Sequence, residues 1–279
     1  MTVQRDAEFA FTDMEFEHVR HMIYQHAGIV LNSCKKQMAY TRLVRRIRQL
    51  RLGGFSEYLA YLEDDKEGEE WQAFVNALTT NLTSFFRENH HFSDLAAMAT
   101  QWYQRHGQIR VWCAAASTGE EPYSIAMTLV EALPGKQAAI SILASDLDTQ
   151  VLETAQNGIY PLDRLEGVSA ERRSRFFYRG KGQNQGLARV DPALTSLIRF
   201  RQINLLDAHW PIDGNLNAIF CRNVMIYFDK PTQKKLVDRF RPLILDDGRL
   251  FVGHSENIGH LSDSWRSCGR TVFAPQVQA

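Results

Sequence analysis

The stretch Val111-Trp112-Cys113-Ala114-Ala115-Ala116-Ser117-Thr118-Gly119-Glu120-Glu121-Pro122-Tyr123 decides the fold. It opens on an apolar strand, passes through a turn of small residues, and enters a helix whose first turn holds two acids and a proline. Pro122 suits that turn, where its missing N–H costs no hydrogen bond. Small side chains let a ligand approach the backbone closely. The turn sits at the carboxyl end of a strand, where open α/β sheets bind ligands. Neither G-x-G-x-x-G nor G-x-x-x-x-G-K-[ST] is present, and Glu120-Glu121 would repel a phosphate. Two carboxylates fit a cationic ligand, but acids at a helix start also complement its dipole; the residues alone leave both readings open.

Outward from this turn, strands and helices alternate. Strands are expected over residues 109–114, 140–144, 218–221 and 250–253, and helices over 121–133, 149–157 and 232–245. That alternation predicts a mostly parallel sheet with helices on both faces. A late strand over 270–274 closes it antiparallel. The second strand runs into Ser145-Asp146; an acid there typically accepts hydrogen bonds from ribose hydroxyls. Asp148 lies nearer the next helix and is the better cap, which leaves Asp146 for a sugar. Between residues 165 and 200 the alternation breaks. Phe176-Phe177-Tyr178 and Leu187-Ala188-Arg189-Val190 flank a loop containing Gly180, Gly182 and Gly186, the pattern of a hairpin in a small β insertion.

Toward the N-terminus the period becomes helical. Thr12 and Asp13 offer caps before a helix over 14–27, with Phe16, Val19 and Ile23 at helical spacing. A second helix covers 35–52, with Met38, Leu43, Ile47 and Leu50 as its apolar side and Gly53-Gly54 as its stop. Two more follow over 55–62 and 69–78. The organisation read here is a helical domain over 1–78, a connecting segment over 79–90, and an α/β domain over 91–279.

Composition narrows the function. Of 279 residues, 32 are Lys or Arg and 32 are Asp or Glu, so a charged partner must be met by a local patch. No apolar run reaches the roughly 20 residues of a membrane span. Residues 1–11 have no apolar stretch and read as no secretory leader. Cys34, Cys113, Cys221 and Cys268 are far apart, with no Cys-x-x-Cys, which fits a reducing cytoplasm. His90-His91 and His254 have no evident ligand cluster, so no metal is expected.

Five motifs in order then resemble one family. They are Thr79-Thr80-Asn81-Leu82-Thr83-Ser84-Phe85-Phe86-Arg87-Glu88, the turn over residues 114–123, Ala144-Ser145-Asp146-Leu147-Asp148, Asn204-Leu205-Leu206 and Cys221-Arg222-Asn223-Val224-Met225-Ile226-Tyr227-Phe228. Gly253-His254-Ser255-Glu256-Asn257 adds a sixth. Together they resemble the chemotaxis receptor methyltransferases, the CheR family, along nearly the whole chain. The resemblance implies a Rossmann-like S-adenosylmethionine methyltransferase domain with a β insertion, preceded by a helical domain. It implies transfer of a methyl group to glutamate carboxylates of chemoreceptors, with S-adenosylhomocysteine as product. Asn81, Thr83 and Arg87 would cover the cofactor. Glu121 and Asp146 would hold its amino-acid and ribose portions, Asn204 and Leu205 its adenine, and Arg222 and Asn223 its methionyl end. Arg87 and Tyr227 resemble the pair beside the reacting methyl. Without the family, Tyr227 reads as a core aromatic.

Partner surfaces are the last expectation. Arg42, Arg45 and Arg46 share one face of the second helix, which also carries Arg48. An ordinary solvated face explains such a run. The family resemblance makes it a contact for the acidic helical coiled coil of a receptor's cytoplasmic domain. No aromatic stacking platform supports nucleic acid. The loop with Gly180, Gly182 and Gly186 looks like the form that docks a receptor's C-terminal tail peptide, by strand addition to a sheet edge.

Overall fold

The computed structural model describes residues 8–64 and 68–276; the leader-free reading of residues 1–11 falls mostly outside them. The chain divides into two compact units, Met1–Thr80 and Asn81–Ala279.

The first unit comprises α1 (Asp13–Ala27), α2 (Lys36–Leu50), α3 (Phe55–Asp64) and α4 (Glu69–Leu78). Thr12 starts α1 through a capping box: its hydroxyl accepts from the Glu15 N–H while the Glu15 carboxylate accepts from the Thr12 N–H. Phe16, Val19, Ile23 and Ala27 form the buried stripe of α1. In α2 the buried residues are Ala39, Leu43, Val44 and Ile47, a face turned slightly from the expected one. The helix closes at Arg51, held left-handed at φ 59, two residues before the glycines.

The arginines of α2 depart from a uniformly solvated face. Arg42 donates to the carbonyls of Ala77 and Thr79, satisfying the open end of α4. Arg46 makes a two-pronged pair with Glu70, which is only 7% exposed and also accepts from the Tyr58 hydroxyl at 2.8 Å. Arg48 pairs with Glu8 at the surface. Arg45 is exposed with no ion-pair partner among the described residues. Helical spacing placed Arg42, Arg45 and Arg46 on one side; it carried no information about which of them the fold uses internally.

The second unit begins with α5 (His90–His106), then β1 (Ile109–Cys113), α6 (Glu120–Ala132), β2 (Ile140–Asp146) and α7 (Thr149–Asn157). Next come β3 (Ile159–Pro161), α8 (Ala170–Phe176), β4 (Phe177–Arg179), β5 (Leu187–Val190) and α9 (Pro192–Thr195). The chain ends with β6 (Ile198–Gln202), β7 (Leu216–Cys221), α10 (Lys230–Phe240), β8 (Ile244–Val252), β9 (Trp265–Gly269) and β10 (Val272–Pro275). Seven strands form one sheet in the order β6-β2-β1-β7-β8-β10-β9. From β6 to β8 the pairs are parallel, and β10 runs antiparallel to both its neighbours. Central β7 is buried at every position, the signature of a strand covered on both faces. Trp112, fully buried, satisfies its indole N–H on the Ser145 hydroxyl at 2.9 Å.

The inserted sheet has the order β3-β5-β4, all antiparallel. It starts earlier than the 165–200 reading because Ile159 pairs with Arg189, and residues 198–202 join the main sheet instead. Among the described residues no helix is long and apolar enough to cross a membrane.

Candidate active site

Strand order reverses between β1 and β7, the place where an open sheet leaves a crevice beyond its carboxyl ends. Strained backbone gathers there. Ser117 (φ 48) and Gly119 (φ 99) follow β1, Asn223 (φ 57) follows β7, and Phe86 (φ 54) and Glu88 (φ 56) lie in the segment before α5. Left-handed residues other than glycine are uncommon and persist where surroundings over-determine them. Gly119 is required by its own fold. A Cβ there would stand 2.6 Å from the Tyr160 hydroxyl and 2.8 Å from the Ala155 Cβ. At that position the small residue makes room for chain, not for ligand.

Asp146 ends β2 beside this turn. Its Oδ2 accepts from the Ser117 N–H at 2.8 Å and its Oδ1 from the Asp148 N–H at 3.0 Å. Desolvation nevertheless pushes its pKa up from 3.8 to about 6, against those two bonds. Asp148 caps α7 by accepting from the Gln150 and Val151 N–H groups, and also from the Asn81 side-chain amide at 2.8 Å. Just past β6, the Ile203 N–H donates to the Asp146 carbonyl, which brings Asn204 and buried Leu205 to the same edge. The Asn204 side chain holds its own turn, accepting from the Leu206 N–H.

The acid pair of α6 is less available than the sequence suggested. Glu120 is fully buried and bound by Arg164 and the Thr118 hydroxyl. Thr83 lies beside it, half-buried, its carbonyl 3.4 Å from the Arg164 guanidinium. Glu121 accepts from Arg222 at 2.6 Å and from the Cys113 thiol at 3.2 Å. Burial pushes the pKa of Glu121 up, against the pull of Arg222. Both acids are therefore compensated from within the protein, and Glu120 does not face a ligand. Cys113 is correspondingly more than a small apolar filler.

Arg222 acts as a buried strut. Beyond Glu121 it donates to the Arg87 carbonyl at 2.5 Å and lies 3.4 Å from Glu88. From the other side, the Phe86 N–H donates to the Ser124 hydroxyl at 3.0 Å. The strained turn bearing Arg87 is thus tied to β7 and to α6. The Arg87 side chain reaches only the Leu82 carbonyl, at 3.0 Å, and has no carboxylate partner among the described residues. Arg164, Arg172 and Arg222 are all ion-paired. Tyr227, on a half-buried turn after β7, has no hydroxyl partner among the described residues.

Sequence reading missed Glu88 and Glu256. Glu88 binds His254 at 3.1 Å and the Asn223 side chain at 3.4 Å, and its pKa is drawn down to about 2 despite burial, by His254 and Arg222. It also corrects the view that the histidines lack neighbours: ligand-type atoms of Glu88, His90 and His91 lie within 4.8 Å of one another. The Arg222 guanidinium already stands 3.4 Å from Glu88, where it does a cation's work. Both histidine Nε2 atoms are engaged by the Arg270 carbonyl.

The α2 arginines belong to the other unit. The loop bearing Gly180, Gly182 and Gly186 forms the β4–β5 turn of the inserted sheet. A Cβ on Gly180 would collide with the Asn184 carbonyl, while Gly182 (φ 57) and Gly186 (φ 88) are left-handed.

Comparison with known proteins fits this geometry. Residues 81–274 match the model of the CheR methyltransferase SAM-binding domain, and residues 14–79 that of the CheR methyltransferase all-alpha domain. Chemotaxis protein methyltransferase 2 of Pseudomonas aeruginosa is 56% identical over 96% of this chain and 95% of its own length. The chemotaxis protein methyltransferases of Salmonella typhimurium and Escherichia coli are 50% and 48% identical, each over 98% of this chain and 93% and 95% of their own lengths. With both of its units matched in order, the chain belongs to the CheR methyltransferase family.

Proposed function

We propose that the protein transfers a methyl group from S-adenosylmethionine to glutamate side chains of chemoreceptors in the cytoplasm, leaving methyl esters and S-adenosylhomocysteine. One observation carries the reading: beside the β1 and β7 ends, Arg87 has no carboxylate partner among the described residues, though the neighbouring arginines do. An arginine left so is suited to an incoming carboxylate.

The residues present suit the cofactor. Asp146 is a desolvated carboxylate with unused lone pairs, suited to ribose hydroxyls. Leu205 and Asn204 suit the adenine, Asn81 and Thr83 the cover, and Glu121, Arg222 and Asn223 the methionyl end. When bound, S-adenosylmethionine supplies a methyl carbon on a positively charged sulfur.

A glutamate side chain has an ordinary pKa near 4.3, so it arrives ionised and needs no general base. Arg87 orients it. A full two-pronged grip would damp its nucleophilicity, so the Tyr227 hydroxyl holds one oxygen and aims the other. Holding acceptor and methyl in line supplies several kcal/mol. Leu82, whose carbonyl holds the Arg87 guanidinium, and Ile226, next to Tyr227, are 77% and 50% exposed and suit the aliphatic side of an acceptor helix.

For the partner, Arg45 and Arg48 are the α2 cations that remain at the surface for an acidic receptor helix. The loop with Gly180, Gly182 and Gly186 suits a receptor's tail peptide. The test is transfer of labelled methyl to a receptor cytoplasmic fragment and to the same fragment with its surface glutamates changed to glutamine. Label on the first alone supports the reading; equal label on both refutes it.

A further inference from the structure

Glu256 lies in the turn after β8, is 5% exposed, and has no cationic partner among the described residues. Its carboxylate is satisfied by backbone instead. Oε2 accepts from Gly253 N–H at 2.6 Å and Asn223 N–H at 2.8 Å, and Oε1 accepts from Ile226 N–H at 3.3 Å. Two of these donors lie in the turn that leaves β7 through left-handed Asn223 and ends at Tyr227. From the opposite side, the Gln233 amide of α10 donates to the Met225 and Phe228 carbonyls. A Cβ on Gly253 would press on the Asn223 side chain and stand 2.9 Å from Glu256 Oε2, so the glycine keeps this approach open.

We propose that Glu256 is a positioning residue for methyl transfer: by clamping the 223–226 backbone it sets where the Tyr227 hydroxyl points. The inference rests on the reading of Tyr227 given above. Burying a carboxylate is costly, and a shape-holding role alone is open to a neutral side chain. What a carboxylate offers is acceptance on both oxygens. Gln can serve Gly253 and Asn223 through its oxygen, but its NH2 then faces the Ile226 N–H, donor against donor. Glu256→Gln therefore releases the 225–226 backbone just ahead of Tyr227.

The experiment is a double-mutant cycle. Turnover at saturating substrates is measured for the parent, Glu256→Gln, Tyr227→Phe and the double variant, with thermal unfolding of each. Glu256→Gln is expected to fold and to lose roughly 10- to 100-fold in turnover, the scale of small misplacements at a reacting centre. In the Tyr227→Phe background the same change is expected to cost less than about twofold, because residues acting as a unit are not additive. Additive losses overturn the inference while leaving Tyr227 its role. Full turnover in Tyr227→Phe removes that role and the inference with it. If Glu256→Gln does not fold, Gly253→Ala strains the same clamp and takes its place in the cycle; if neither folds, Glu256 is a folding residue and the inference falls.

Discussion

Replacing Asp146 by Asn separates a ligand-binding carboxylate from a structural one. A pKa displaced from 3.8 to about 6 corresponds to roughly 3 kcal/mol held against the ionised form in the free protein. Because the folded value is the higher, this carboxyl's contribution to stability is intact below about pH 4 and lost as pH rises through about 6. Asn removes that cost. It can accept only one of the two N–H groups now shared by the carboxylate, and stranding the Ser117 or Asp148 N–H costs about 1–3 kcal/mol. The terms nearly cancel at pH 8, so the melting temperature of the free protein should move by only a few degrees. Cofactor binding has no such compensation. Losing a hydrogen bond to a charged acceptor is worth about 1.5–3 kcal/mol, a weakening of roughly 10- to 150-fold. Calorimetric titration with S-adenosylhomocysteine, beside scanning calorimetry of the free protein, reads both. Unchanged affinity in a folded variant, or a loss of several kcal/mol of stability with affinity intact, refutes the reasoning.

Titrating cofactor affinity of the parent against pH should show weakening as pH falls below about 6, where Asp146 takes up a proton; a flat profile removes its charge from binding. Arg46→Glu should destabilise the helical unit by about 3–5 kcal/mol, since it strands buried Glu70, whereas Arg45→Glu should leave unfolding unchanged within about 0.5 kcal/mol. The Arg45 variant should instead slow methylation most at low salt, and a salt-independent rate would exclude it from encounter. Arg87→Ala should lower turnover without moving the melting temperature, because its side chain makes a single exposed bond; full turnover removes it from the reaction. Deleting residues 182–185 should abolish tail-peptide binding while methylation of a concentrated tail-less receptor persists, which a binding titration and initial rates check.

Much of the α/β order was legible because its strands are short apolar runs and its helices keep a 3.6-residue period. Strand β6 was not, since in the edge strand Ile198-Arg199-Phe200-Arg201-Gln202 exposed arginines alternate with the apolar residues and leave no apolar run. Helix α5 opens on two histidines behind Asn89, whose side chain makes no cap hydrogen bond and whose backbone is already helical, so its start is weakly marked. Asp148 and Asp146 were separable by position relative to the helix start. Glu120 and Glu121 were not, because their arginines lie 44 and 101 residues away. Periodicity likewise places Arg42 and Arg46 on a face but cannot see Ala77, Thr79 or Glu70 opposite them. Glu256 was visible as a motif letter only; its backbone donors come from two loops that the fold alone brings together.

The most direct test of carboxylate methylation is the fate of transferred label under mild base. Protein is incubated with methyl-labelled S-adenosylmethionine and a receptor cytoplasmic fragment, the fragment is isolated, and volatile methanol is collected after alkaline treatment. Esters on glutamate release their label, so nearly all of it should leave as methanol, and the Arg87→Ala and Tyr227→Phe proteins should deliver little. Label that stays on the fragment through base treatment would place the methyl on a group other than a carboxylate and contradict the account.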